Sequence, residues 1–172
     1  MTTEPNERPH DGGCTCGQVR YRMTSGPLIV HCCHCRWCQR ETGASFALNA
    51  LIESDRVQLL SGTPDVVHTP SESGIGQKIS RCPTCRIAVW SNYGGGGDAV
   101  RFVRVGTLDA PDRFPPDVHI YTGSKQPWVV LPTGTPAVAE YYKASEVWPP
   151  ESLARRAALA GRKPSAQAGG GA

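Results

Sequence analysis

The stretch His31-Cys32-Cys33-His34-Cys35-Arg36-Trp37-Cys38 decides how this chain is read. It continues a strand-like run at 28–31 and crowds four cysteines together. Cys33, Cys35 and Cys38 form C-x-C-x-x-C, a spacing that lets one loop turn several sulfurs toward one ion. Three thiolates with an open fourth place are the pattern of a reactive zinc, which can hold a substrate thiol as its nucleophilic thiolate. Cys32 adjoins Cys33, and neighbouring side chains on a strand face opposite ways, so Cys32 reads as a buried core thiol. By the same alternation His34 points away from the metal of its flanking cysteines. His31 and His34 both read as packed or hydrogen-bonded histidines. Arg36 and Arg40 are the sequence neighbours whose charge could offset three thiolates, although either one alone reads first as a solvated surface arginine. A rival partition joins Cys32, Cys33, Cys35 and Cys38 in a single closed site, which would leave no room for chemistry.

The other four cysteines form two short chelating pairs, Cys14-Thr15-Cys16 and Cys82-Pro83-Thr84-Cys85. One pair from each of two distant turns completes a four-sulfur shell and staples the chain, with Pro83 favouring the second turn. A redox pair at Cys82 and Cys85 is the competing reading. That motif normally opens a helix, whereas Ile87-Ala88-Val89-Trp90 looks like a strand.

Further outward, 19 glycines and 15 prolines in 172 residues divide the chain into short elements. Strand-like runs fall at 18–23, 28–31, 46–52, 57–60, 65–68, 78–80, 87–91, 100–105, 118–121 and 129–131. Several alternate apolar and polar residues, as Val19-Arg20-Tyr21-Arg22-Met23 does. A short helical turn is expected from Trp37 to Thr42 and a short helix at 151–159. The expected organisation is a disordered lead at 1–11, an all-β zinc-binding domain at 12–148, and a short helix with a flexible tail at 149–172.

Lysine and arginine exceed aspartate and glutamate by only three charges (18 against 15), which makes no case for nucleic acid. The first residues lack the apolar core of a secretory signal, and no apolar run spans a bilayer. A soluble, cytoplasmic protein with reduced cysteines is therefore expected.

These motifs resemble the glutathione-dependent formaldehyde-activating enzyme family, which includes centromere protein V-like proteins. The resemblance covers residues 12–128. It rests on Gly12-Gly13-Cys14-Thr15-Cys16-Gly17, on Cys33-His34-Cys35-Arg36-Trp37-Cys38-Gln39-Arg40 with Thr42-Gly43-Ala44-Ser45-Phe46, and on Cys82-Pro83-Thr84-Cys85. It ends with Val105-Gly106-Thr107-Leu108-Asp109, His119-Ile120 and Ser124-Lys125-Gln126-Pro127-Trp128. The resemblance implies an Mss4-like β-tent of small antiparallel sheets. It implies two zinc ions per chain, a structural one at Cys14, Cys16, Cys82 and Cys85 and a catalytic one at Cys33, Cys35 and Cys38. The implied reaction is of the carbon–sulfur lyase type, joining a small thiol such as glutathione to an aldehyde such as formaldehyde. His119 is the proton donor that the family block offers, although a histidine on a strand is more often structural. Lys125 and Trp128 could shape the pocket, with Trp128 expected in the core. Where the family usually has an aromatic before the later C-x-x-C and a glycine after it, this chain has Arg81 and Arg86. A non-catalytic, zinc-stabilised binding or scaffold module is the alternative function.

Overall fold

Two sheets built from short strands follow from the dense glycine and proline punctuation. The computed structural model describes residues 8–160; the first part of the expected lead and the tail from 161 onward lie outside the described residues. A three-stranded sheet has the order β1 (His10–Gly13), β2 (Arg20–Met23), β5 (Val57–Ser61). A seven-stranded sheet has the order β10 (Val118–Ile120), β3 (Ile29–Cys33), β4 (Ala47–Glu53), β9 (Val100–Arg104), β8 (Ala88–Tyr93), β7 (Gln77–Arg81), β6 (Asp65–Thr69). All pairings are antiparallel except β10 with β3, which run parallel with His119 opposite Cys32 and Ile120 opposite Cys33. The fold is therefore all-β, as expected, with one parallel edge that the sequence did not suggest.

The central strands are buried on both faces, and their side chains divide between two cores. Val30, Ala50, Ile52, Val89, Trp90 and Val103 join Tyr21 and Met23 of the small sheet in the first. Ile29, Cys33, Leu51, Val118 and Ile120 form the second, on the opposite face, closed by Trp148. Each large apolar side chain buried this way contributes about 1.5–3 kcal/mol. The two layers explain why β3 and β4 read as nearly continuous apolar runs.

Three α-helices complete the described residues: α1 (Arg36–Thr42), α2 (Ala144–Val147) and α3 (Pro150–Ala160). Helix α1 ends at Gly43, whose left-handed φ of 67° and N–H bond to Gln39 O close the last turn. Helix α3 docks through Arg155, which pairs with the buried Glu53 carboxylate at 2.5 Å and donates to Gly26 O.

Two expectations are corrected. Residues 129–131 form no strand, and Val130 is 89% exposed. The run is apolar, but no neighbouring strand lies beside it to accept its backbone groups. The lead ends earlier than residue 11, because His10 and Asp11 belong to β1. Asp11 there binds Arg22 through both carboxylate oxygens, and His10 packs edge-on against Phe114.

Candidate metal centres and the cavity over one of them

The first centre forms where the two sheets meet. Cys14 and Cys16 lie in the turn between β1 and β2, and Cys82 and Cys85 in the turn between β7 and β8. Their four sulfurs all lie within 4.8 Å of one another. The Cys14–Cys16 and Cys16–Cys82 separations are 3.4 and 3.6 Å. A tetrahedral zinc with bonds of about 2.3 Å sets its sulfurs roughly 3.8 Å apart, so this set fits zinc. Backbone N–H groups already favour thiolates here. The Val19 N–H donates to Cys14 Sγ, and the Ile87 N–H is the largest influence lowering Cys85 to about 6.

The second centre grows from the end of β3 into α1. Cys33 closes the strand, Cys35 caps the helix, and Cys38 sits one turn on; all three are buried and mutually within 4.8 Å. Hydrogen bonds from the Cys33 and Cys38 sulfurs, helped by the Cys38 and Trp37 backbone N–H groups, lower Cys35 to about 3. The sulfurs of Cys35 and Cys38 push Cys33 strongly upward. Cys38 is raised to about 11; the hydrogen bond with Cys33 lowers it, but Cys35 and burial outweigh this. A bare set thus concentrates its negative charge on Cys35, whereas a divalent cation would suit three thiolates. Gln39 fixes the loop: its Nε2 donates to His34 O at 2.6 Å and to Ser124 O at 2.9 Å.

Arg36 and Arg40 take the solvated surface place that each alone suggests, rather than that of a counter-charge. Both are exposed, and Arg36 donates to Gln39 Oε1 at 2.5 Å. The buried cation is instead Arg104 of β9, which donates to Asn49 Oδ1 and to Ser91 Oγ, and whose charge lowers the Cys38 thiol. Sequence reasoning missed it. The available signal was an arginine at the end of a strand whose apolar residues fall on both faces.

Cys32, His34 and His119 are buried together, as expected for packed residues. Their ligating atoms are also within 4.8 Å of one another. His34 Nε2 is 3.0 Å from His119 Nδ1 and 3.5 Å from Cys32 Sγ. Burial lowers both imidazoles, His34 to about 4, so they stay neutral. This group does not line the cavity at the three-cysteine centre, which removes His119 from the place a proton donor would occupy. Cys32 is therefore separated from Cys33, and the rival closed set of Cys32, Cys33, Cys35 and Cys38 does not form.

The cavity at Cys33, Cys35 and Cys38 has a volume of about 590 Å³. Tyr93 and Phe102 stand on one side of it and Trp37 at its rim. His31 also lines it, with Nε2 2.5 Å from the Tyr142 hydroxyl, which in turn accepts from Trp148 Nε1 at 2.8 Å. Lys125 and Trp128 lie elsewhere. Lys125 donates to Val129 O at 2.7 Å, and Trp128 is 72% exposed rather than in the core, because its segment runs over the surface without a covering element.

A family model described as glutathione-dependent formaldehyde-activating enzyme matches residues 9–124. The chain belongs to that family. A Halomonas elongata protein named "Putative glutathione-dependent formaldehyde-activating enzyme" is 26% identical over 126 residues, covering 70% of this chain and 80% of its own. A Rhodobacter sphaeroides protein of known crystal structure is similar at a TM-score of 0.43 and 19% identity, over 58% of this chain and 87% of its own. Family membership implies an enzyme acting on formaldehyde with glutathione, and the two cysteine sets are groups that can hold metal ions. All seven of those cysteines fall inside the matched residues. Tyr141, Tyr142, Trp148 and Arg156, which close one side of the cavity, fall beyond them. Among the described residues no helix is long and apolar enough to cross a membrane.

Proposed function

We propose that the chain is a zinc-dependent enzyme of the carbon–sulfur lyase type, acting on the adduct of a small thiol, glutathione or an analogue, with an aldehyde such as formaldehyde. The observation that carries this reading is the three-cysteine set in the wall of a 590 Å³ cavity. Four sulfurs at the other centre leave a zinc closed, whereas three beside a cavity leave room for a substrate. Two zinc ions per chain follow, and a cytoplasmic location accords with eight free cysteines.

In the reaction the thiol sulfur bonds to the carbonyl carbon, the carbonyl π pair moves to oxygen, and the thiol proton ends on that oxygen. The reverse breaks the carbon–sulfur bond and returns the proton to sulfur. Zinc at the second centre would supply an electrophilic place that keeps the substrate thiol deprotonated at neutral pH. The chain supplies the rest. Arg104 offsets the negative charge of the cysteine set from its buried position beside Asn49 and Ser91. The aromatic walls keep bulk water from the reacting carbon. The Tyr142 hydroxyl, held between Trp148 Nε1 and His31 Nε2, lines the same cavity.

The test has two parts. Protein purified without chelator should hold two zinc ions per chain. Cys35→Ser should keep its fold and one zinc while losing turnover by at least about a hundredfold. A Cys35→Ser variant with full activity would overturn the assignment of the reactive centre.

A further inference from the structure

The cavity is much larger than its expected aldehyde and is the wrong chemistry for it. Formaldehyde brings one carbon and no surface to bury. The walls beside the cysteine set are instead apolar and aromatic, with Leu51, Tyr93, Val100, Phe102, Ile120 and Tyr121 among them. Several polar side chains in those walls are engaged, although Gln77 Oε1 is buried there without a hydrogen-bond partner among the described residues. Asn49 accepts from Arg104, Ser71 Oγ accepts from the Gly76 N–H, and the Tyr142 hydroxyl is held by His31 and Trp148. A polar peptide chain pushed into this interior would lose its hydrogen bonds to water and find few replacements.

The mouth differs from the interior. Lys143 and Arg156 are exposed on the C-terminal side, with Arg156 stacked over Trp148 at 5.1 Å. Neither forms an ion pair among the described residues. Glu72, also exposed, lines the same cavity. Two cations and one carboxylate complement a zwitterionic thiol that carries two carboxylates and one ammonium. Tyr141 bridges mouth and interior, stacked on Tyr142 at 5.1 Å with only 10° between the rings and 6.2 Å from Tyr121.

We propose that the cavity receives an aromatic aldehyde as the carbon partner of an anionic thiol, the ring lying among Tyr93, Phe102, Tyr121 and Tyr141 and the thiol's carboxylates meeting Lys143 and Arg156. This inference rests on the thiol–aldehyde reading above and narrows its aldehyde. Tyr93, Phe102 and Tyr121 lie inside the family match, whereas Tyr141, Lys143 and Arg156 all follow residue 124 and complete the site from the segment beyond it. The chemistry is unchanged: the sulfur–carbon bond forms, and the proton moves from sulfur to the carbonyl oxygen. An aromatic ring in such walls buries apolar surface and makes edge-to-face contacts that a one-carbon unit cannot.

The test is calorimetric titration of the zinc-containing protein with stable thioethers that mimic the adducts, S-methylglutathione and S-benzylglutathione. S-benzylglutathione should bind at least tenfold more tightly, and Tyr141→Ala should cut that ratio below threefold. Equal affinities for the two thioethers overturn the inference and leave the thiol–aldehyde function standing. If neither binds but benzyl mercaptan does, the aromatic pocket stands and glutathione is the wrong thiol. If benzyl mercaptan also fails to bind, both readings fall.

Discussion

At residue scale the most informative departure from the family pattern is Arg86. The residue after the second cysteine of C-x-x-C sits at φ 62°, in the left-handed region, and its N–H bonds Cys82 O to close the turn. That conformation costs a non-glycine residue about 1–2 kcal/mol, which is the physical reason glycine suits this place. Arg86 is exposed, and its ion pair with Asp65 joins two solvated side chains, so the pair offsets little of the strain. Glycine also loosens the unfolded chain, which returns part of the gain. Arg86→Gly is therefore expected to stabilise the protein by about 0.5–1 kcal/mol in denaturant titration. Arg86→Ala loses the ion pair but keeps the strain and should gain nothing. A glycine variant no more stable than the alanine variant would show that the turn is not strained. Arg104 teaches a complementary lesson about single residues. Its role depends on Asn49 and Ser91, partners 55 and 13 positions away, and on a cysteine that reaches it only through the folded sheet. No local sequence pattern carries that information.

At the scale of elements, strands that alternate were legible, and segments held by side chains were not. β2 shows its period in sequence because one face meets the core, and β4 shows itself as a continuous apolar run because both of its faces do. β1 was missed because its residues, His-Asp-Gly-Gly, have no apolar face; it forms through register with β2 and the Asp11–Arg22 pair. Residues 129–131 failed in the opposite way, being apolar with nowhere to pair. Helix α3 was visible from its alanine, leucine and arginine content, but its docking was not. Docking depends on Glu53, at the end of β4, which is buried and bonded to Arg155 at 2.8 and 2.5 Å and to Arg56 at 3.3 Å. Burial by itself raises the Glu53 carboxyl, but the Arg155 hydrogen bond and the nearby arginine charges more than reverse this, leaving it below its ordinary value of 4.5. Because the folded form holds this proton less tightly than the unfolded one, the pair's contribution is complete above pH 4.5. It fades as pH falls through the lower folded value. Glu53→Gln is expected to cost about 2 kcal/mol at pH 7 and to flatten the loss of stability below pH 4.5. Amide exchange along α3 should quicken in the same variant. An unchanged acid profile would mean that another carboxylate governs the docking.

At the scale of the whole molecule, the two cysteine sets do different mechanical work, and that difference can be measured. Cys14 and Cys16 lie in a turn of the small sheet and Cys82 and Cys85 in a turn of the large one, so an ion held by all four would tie two sheets through residues 66 apart. The sheets also share the Tyr21–Trp90 edge contact at 5.5 Å and a buried core, so such an ion would reinforce an interface that already packs. The second set is local. Cys33, Cys35 and Cys38 span six residues of one strand end and one helix, whose loop Gln39 pins to the backbone without help from metal. Structural zinc contributes its binding energy to folding, whereas zinc at a pre-formed local site need not. Cys82→Ser, at a position with no exposed surface, is thus expected to lower Tm by at least about 10 °C and to lose one zinc. Cys35→Ser should also lose one zinc, yet shift Tm by less than about 4 °C. Differential scanning calorimetry beside metal analysis separates the cases. Equal shifts for the two variants would mean that both ions hold the fold equally. A small shift for Cys82→Ser would mean that the core between the sheets carries the molecule and the four-sulfur site is dispensable to its stability.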